Sequence, residues 1–520
     1  MSIESKARKV ALASLVWTIV VLIIFGGIWF WVSRSKARLE SETGSASKYT
    51  DEVRIITDSF SGYAPLRKAS EELKSKGIKL LVQDDGADYI GRMKALRDGE
   101  ADLAVFTVDS LLTSGIKIKE FPVSMVLVID ETKGADAIVA YKSAIKNIQD
   151  LNRKDAKFVL TPSSPSEFLA RVALASFNLP NLPVNWIEEA DGAEDVYNKF
   201  KKASRTEPKA YVMWEPYVSM ALKDPDAIVI LGSDKLKGYI VDVLAARREF
   251  IKQRPDLVQQ VIEVYLSTAY GFRDKMLELV TEDSKQTQAA LSKNEAEKVV
   301  KGIQWKNTLE NYAHFNLLDR KEARGLDDLE TIITKITDVL VTTGAISKEE
   351  SDRIEPANLF YDKFLQELRL SNFHPGKKLN IIEGSTNISD EQVRGDVELS
   401  ALTDEQWNSL ISIGQMRIQD ISFRRGTAEL SDFSKRDLEE LAGKLKSFPQ
   451  YYLVVTGNAR AEGDAQANLL LAETRSKVVA EYLILRLGIS RNRIKAVAAQ
   501  PSMSGGEAQS VSFQLGQIPY

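Results

Sequence analysis

The chain has 520 residues, with 69 Lys+Arg against 73 Asp+Glu, two His and no Cys. That length predicts several domains, because single cores stop growing near about 250–300 residues. The near-neutral balance, with no basic domain, argues against a nucleic-acid partner. The absence of Cys excludes thiol catalysis, cysteine-ligated zinc and disulfides, and His314 and His374 are too far apart in sequence to suggest a His-built metal or catalytic cluster. No cofactor and no metal are expected.

In chain order the first element is Val10–Val32 (VALASLVWTIVVLIIFGGIWFWV), which carries no charge. At about 1.5 Å per helical residue it covers roughly 34 Å, enough to cross a bilayer. A cleaved signal peptide would have an apolar region of about 7–15 residues and a small-x-small cleavage site. This run instead ends in Trp29, Phe30 and Trp31, an interfacial belt. The pattern predicts a single uncleaved transmembrane helix after a short tail, residues 1–9. Lys6, Arg8 and Lys9 before the run nearly balance Arg34, Lys36 and Arg38 after it, so orientation is left to the downstream domains. With no Asp or Glu inside the span, a structural anchor is the better reading than a proton-carrying helix.

Residues 33–52 are polar, rich in Ser and charge, and read as a tether. Residues 53–371 then repeat strand, glycine turn and helix. Val53–Thr57, Ile78–Val82 and Leu103–Thr107 are strands, separated by helices Leu66–Lys76 and Asp88–Asp98. A second set follows: Ala137–Tyr141, Lys157–Leu160, a helix from Glu167, Ala210–Trp214 and Ile228–Leu231. Such alternation predicts an α/β domain with a mainly parallel sheet. After about Asp242 the chain turns mostly helical, to Leu370. Residues 372–410, with the irregular Asn372–Val397 stretch, form a second linker. In the last domain, residues 411–520, strand Ile418–Phe423, helix Asp432–Ser447, strand Tyr451–Val455, a further helix and closing strands Arg493–Ala499 and Gln509–Leu515 suit a compact α/β sandwich.

Ligands of α/β sheets sit beyond the carboxyl ends of the strands. The residues there are Asp58–Tyr63 (DSFSGY), Thr107-Val108-Asp109, Lys133–Asp136, Thr161–Ser166 (TPSSPS), Trp214–Tyr217 (WEPY) and Tyr239–Asp242. Gly134–Ala140 (GADAIVA) followed by Lys142–Leu151 (KSAIKNIQDL), together with WEPY, resembles the periplasmic solute-binding proteins of the nitrate, sulfonate and thiamine-precursor group. The resemblance implies a two-lobed periplasmic-binding-protein fold hinged around a central cleft. Candidate ligand-binding residues are Ser59, Tyr63, Asp109, Asp136, Ser163, Ser164, Ser166, Trp214, Glu215 and Asp242.

Two readings stand for most of them. Ser163, Ser164 and Ser166 precede a helix whose amides suit an anionic group, or they simply cap it; Pro165 removes one donor from that turn. Asp109, Asp136, Glu215 and Asp242 would repel a bare anion and favour a ligand with an amine or cationic ring, or they cap helices and pair with basic residues. Trp214 and Tyr63 suit stacking on a flat or cationic ligand, or Trp214 is buried between lobes. The pyrimidine-synthase relatives of this fold depend on Cys and His, which are missing here, and no nucleophile–base pair, phosphate loop or metal-ligand spacing appears. Catalysis is not expected.

Gly457–Arg475 (GNARAEGDAQANLLLAETR) opens an amphipathic helix after the strand Tyr451–Thr456, with Leu471, Val478, Tyr482 and Leu485 at helical intervals. The stretch resembles the OmpA-like peptidoglycan-associated domain, whose pattern is G-(H)-T-D-x-x-G, Asn, then L-S-x-x-R-A. Gly457, Gly463, Asn468, Leu471 and Arg475 match it; Asn458, Ala459, Ala472 and Ser476 depart. So does Arg460, which stands where the family has the Asp that, with the Arg at 475, clamps the amino-acid end of diaminopimelate. The resemblance therefore implies a peptidoglycan site of Arg460, Glu462, Asp464, Asn468 and Arg475, with Glu462 or Asp464 replacing the missing Asp. A different anionic ligand and a purely structural or protein-contact domain are the alternatives.

Together these readings predict a bacterial inner-membrane protein, single-pass with its N-terminus cytoplasmic and its bulk periplasmic. It would capture a small amine-containing or zwitterionic solute for an unidentified membrane protein partner and associate with peptidoglycan. The alternative is a structural envelope tether whose cleft domain contacts proteins and holds no solute.

Overall fold

The computed structural model describes residues 49–287, 290–376, 391–395, 399–419, 421, 423–424, 426–459, 463–500 and 510–518. The expected anchor Val10–Val32 lies outside them, and among the described residues no helix is long and apolar enough to cross a membrane. The described residues fall into two compact units. The small one holds Tyr49–Glu52 and Leu73–Lys79, where Thr50 N donates to Gly77 O at 2.8 Å. Gly77 sits at φ +80°, the left-handed region that closes a helix.

Most of three sheets lies in the large unit, and two of them form two lobes. In the first lobe are β1 (Asp51–Thr57), β2 (Ile78–Asp84), β3 (Leu103–Thr107), β4 (Val123–Thr132), β10 (Val241–Arg247) and β11 (Ile303–Trp305), ordered β11-β4-β10-β3-β1-β2. The second has β5 (Asp136–Tyr141), β6 (Lys157–Leu160), β7 (Ile187–Glu189), β8 (Lys209–Trp214) and β9 (Ala227–Gly232), ordered β7-β6-β8-β5-β9. Strands β3, β4 and β5 are buried along their whole length. Continuous apolar runs such as Met125–Ile129 are what burial on both faces requires.

The sheets are mixed, not mainly parallel as the alternation suggested. β1 pairs with β3 in parallel, but β10 runs antiparallel to both β3 and β4. In the second sheet β6 is parallel to β7 and β8, while β5 is antiparallel to β8 and β9. The cause is connectivity. The chain leaves the first lobe after β4 and returns to it at β10, and a strand inserted on return lies against its neighbours. Ser233 Oγ ties the two crossings together, accepting from Gly134 N at 2.8 Å and Asp136 N at 3.2 Å.

Helices cover both sheets: α1 (Ala64–Ser75), α2 (Tyr89–Arg97), α3 (Val108–Ile118), α4 (Pro165–Ser176) and α5 (Gly192–Lys202). Helix α5 shows the local logic. Ala193, Val196 and Phe200 are its buried face, and Phe200 stacks on Tyr141 with centroids 4.4 Å apart. The long helices Pro255–Phe272 and Leu329–Thr342 complete the helical region expected after Asp242, interrupted only by β10 and β11 among the elements described.

The C-terminal domain has β12 (Ile411–Gln415), β13 (Tyr452–Gly457), β14 (Ile494–Ala498) and β15 (Val511–Gln517), ordered β12-β15-β13-β14. Its helices are α6 (Asp432–Lys446) and α7 (Ala465–Leu485). The first strand thus falls at Ile411–Gln415, ahead of the expected Ile418–Phe423. Its partner β15 fixes it there, pairing Ile411 with Gln517 and Gln415 with Gln514. At Phe423 the described structure has only an isolated bridge to Leu430.

This domain is docked on the second lobe. Arg417 N donates to Ser176 O at 2.7 Å and Asn178 N to Gln415 O at 3.1 Å, around the Phe177–Met416 bridge. The buried Phe177 ring lies 6.1 Å from that of Phe448, which also meets Tyr239 at 6.5 Å. Lys237 N, in the second crossing, donates to Ser447 O at 3.0 Å.

Candidate functional site

A cavity of about 250 Å³ opens between the two lobes. The first lobe contributes Asp58, Ser59, Phe60 and Tyr63 after β1, Tyr89 at the start of α2, Thr107 and Thr132 at strand ends, and Asp242 at the start of β10. The second contributes Asp136 at the start of β5, Pro165 of α4, Asp191–Glu194 around the start of α5, and Trp214 and Tyr217 after β8. The carboxyl ends of β1, β3 and β8 therefore meet here, as α/β connectivity favours.

Four carboxylates define the inner wall. Asp242 is 2% exposed; its Oδ1 accepts from Tyr63 OH at 2.5 Å, and its Oδ2 meets no donor among the described residues. Asp130 is its cross-strand partner, fully buried beneath, with neither oxygen on a donor among the described residues. Gly62 makes the room: a Cβ there would stand 2.5 Å from Asp130 Oδ2. Burial pushes both carboxyls up; the Asp130 charge adds to the rise at Asp242, while Lys306 and the contact with Asp242 pull Asp130 back. Asp136, 3% exposed, is pushed up to about 7 by burial. Asp58 differs because it has a counter-charge. Arg92 Nη2 lies 3.2 Å from its Oδ2, and the same guanidinium holds Asp85 at 2.5 Å and Val105 O at 2.5 Å.

Of the residues proposed from sequence, Ser59, Tyr63, Asp136, Trp214 and Asp242 line this cavity. The other five are not in its wall. Asp109 is buried in the first turn of α3, pushed up to about 7 by burial, with Oδ1 on no donor. Glu215 turns to its own helix, accepting from Ser219 Oγ at 2.8 Å and Ser219 N at 3.0 Å. The three serines organise the start of α4. Ser164 Oγ accepts from Ser166 N at 3.2 Å and donates to Thr161 O at 2.7 Å, while Ser163 N donates to Glu167 Oε2 at 2.7 Å. These internal bonds occupy the amides that an anion would need.

Sequence reasoning passed over Asp58, Arg92, Tyr89, Asp130 and Glu194. Asp58 stood in the DSFSGY run already marked. Asp130 carried the clearer signal, a carboxylate ending the apolar run Met125–Ile129. Arg92 gave none, since a lone helix arginine is normally solvated; here it is 1% exposed.

In the C-terminal domain, Arg460 and Glu462 lie outside the described residues. Asp464 caps α7, its Oδ1 accepting from Gln466 N at 2.9 Å and Ala467 N at 3.1 Å. Asn468 follows one turn on, its N donating to Asp464 O at 2.9 Å. Arg475 is 3% exposed, donates from Nε to Thr427 O at 2.9 Å and lies 4.8 Å from the Phe423 ring centroid. Gly457 lets β13 touch α7: a Cβ would fall 2.6 Å from the Ala472 carbonyl carbon.

The OmpA family model matches residues 422–508. No curated protein matches the chain. Among solved structures, the ligand-binding component of an ABC-type import system from Staphylococcus aureus is 14% identical with a TM-score of 0.46, covering 61% of this chain and 99% of that one. The periplasmic nitrate-binding protein NrtA from Synechocystis PCC 6803 is 13% identical with a TM-score of 0.46, covering 64% and 91%. The alkanesulfonate-binding protein SsuA from Xanthomonas axonopodis pv. citri is 15% identical with a TM-score of 0.45, covering 60% and 99%. Residues 422–508 thus match the OmpA family.

Proposed function

We propose that this chain is a membrane-anchored envelope protein that captures a small amine-containing or zwitterionic solute for a membrane partner. Its OmpA-like domain would associate with peptidoglycan. The carrying observation is the charge of the cavity between the lobes. Asp136 and Asp242 line it while nearly fully buried, and no Lys, Arg or His is among its described lining residues. Burying carboxylates without a counter-cation is costly, and an ammonium ligand supplies that cation. Tyr63, Tyr89, Trp214 and Tyr217 add ring faces suited to an organic cation. Anchoring rests on the uncharged run Val10–Val32.

One observation favours the tether reading. The inner carboxyls are pushed up by burial, so protonation also neutralises the cavity without a solute. Thermal shift on the full chain separates the two. A hit among small amines and amino acids, at about 100 times its Kd, adds roughly 2.7 kcal/mol of stability. Trp214→Ala and Asp136→Ala should each remove that response and leave the unliganded melt cooperative. A cavity unresponsive to every amine and zwitterion tested would leave the tether as the function.

A further inference from the structure

The cavity has an inner acidic position, shared between the lobes, and an outer one on the second lobe. The inner one is Asp242 with Asp136; both line the cavity, and the buried Asp242 Oδ2 meets no donor among the described residues. The outer one is Asp191 with Glu194, exposed at the start of α5. Aromatic residues of both lobes, Phe60 and Tyr89 from one and Trp214 and Tyr217 from the other, complete the lining. Apolar ring faces of this kind suit methylene groups as well as cations.

Among the described lining residues a ligand carboxylate meets no cationic receptor. Arg92, paired with Asp58, is 1% exposed and aims its donors at Asp58, Asp85 and Val105 O, and Lys306, 2% exposed, is held by Glu131 at 2.8 Å. The start of α4 bonds to its own Ser164 and Glu167. The start of α5 carries Glu194 and Asp195 in its first turn, and Asp195 accepts from Asp191 N at 3.1 Å. A carboxylate placed there would meet like charge.

Resting on the proposed amine-binding function, we propose that the cavity selects an aliphatic diamine, one ammonium at Asp242 and Asp136, the other at Asp191 and Glu194, and its methylenes between the aromatic rings. A zwitterion of the same length satisfies only one of the two positions, as does a monoamine.

Calorimetric titration of the full chain near neutral pH and low salt tests this with four probes of one length: 1,5-diaminopentane, 1-aminopentane, 5-aminopentanoate and pentane-1-sulfonate. The diamine should bind about tenfold or more tightly than the monoamine, the range of one charge-assisted contact. The zwitterion should bind no better than the monoamine. Glu194→Gln, at an exposed position, should bring the diamine towards the monoamine. Asp242→Asn should weaken both amines. Equal binding of diamine and monoamine, or tightest binding of 5-aminopentanoate, would overturn the diamine while leaving amine capture standing. Binding of the sulfonate alone, or of none of the four, would overturn both.

Discussion

Arg92 gives the sharpest quantitative test of how the acidic wall is held. Its side chain is fully buried, and its two carboxylate partners are 10% and 12% exposed, Asp58 at 3.2 Å and Asp85 at 2.5 Å. Arg92→Met keeps an unbranched apolar stem but leaves two largely buried carboxylates and Val105 O without the guanidinium. Breaking a buried ion pair from one side costs about 3–5 kcal/mol. At about 2–4 °C per kcal/mol for a domain of a few hundred residues, the melting temperature should fall by roughly 6–20 °C. The perturbation has an internal control. Adding Asp58→Asn and Asp85→Asn to Arg92→Met removes the stranded charges and should recover most of the loss, because neutral replacement of a whole buried ion set is often tolerated. Calorimetric or fluorescence melts of the three proteins, at neutral pH without added amine, provide the comparison. A loss below about 1 kcal/mol in Arg92→Met, the scale of an exposed pair, would show that Arg92 is not the counter-charge of this wall. So would a triple variant no more stable than the single one.

Three further outcomes are expected. Gly457→Ala places a Cβ 2.6 Å from the Ala472 carbonyl carbon; since backbone must move, the C-terminal domain should lose about 1–3 kcal/mol or more in a denaturant melt, and an unchanged melt would contradict the close approach of β13 to α7. Phe177→Ala removes a buried ring between the second lobe and the OmpA-like domain, so limited proteolysis should cut near Gln415–Arg417 faster, whereas an unchanged rate would contradict the docking. Unliganded stability should fall as pH rises from about 6.5 to 8.5. Burial raises Asp109 and Asp136 to about 7 and raises Asp130 and Asp242 as well, so the folded chain holds protons that the unfolded chain releases near pH 4. Their contribution is fully present at acid pH and lost through the folded values, at up to about 1.4 kcal/mol per proton per pH unit. His314, pushed down to about 4 by burial, acts in the opposite sense, but only below about pH 6.5. Asp130→Asn should flatten the slope, and a melting temperature that rises over this interval would contradict the assignment.

Much of this architecture was legible because it rests on local pattern. Glycine-punctuated alternation located β1 to β3, and the helix interval of Leu471 to Leu485 marked α7 as a helix but missed its core face, which is Ala472, Ser476, Val479 and Leu483, with Leu485 exposed. Sheet direction was not legible, because it depends on where β10 returns. Half of the proposed cleft residues reached the cavity, namely those at strand ends and starts. Ser163, Ser164 and Glu215 did not, since local bonds to Glu167, Thr161 and Ser219 engage them before any ligand arrives, and Ser166 is buried within α4. Asp130 and Arg92 escaped notice because what marks them is burial, a property of tertiary packing.

Peptidoglycan association turns on Arg460, where the family pattern has Asp. If full-length wild type pellets with isolated peptidoglycan, Glu462 or Asp464 supplies the missing carboxylate. If only Arg460→Asp pellets, the natural arginine has switched wall binding off.

The most direct test of the central claim is the identity of what the cavity holds in the cell. Native mass spectrometry of full-length protein, purified without denaturation from its own envelope, should show a bound small molecule that is released on unfolding. That molecule should carry at least one amine and be lost from Asp242→Asn. Recovery of a bare anion such as nitrate or a sulfonate, or of an amine retained in full by Asp242→Asn, would contradict capture of a cation by the buried carboxylates.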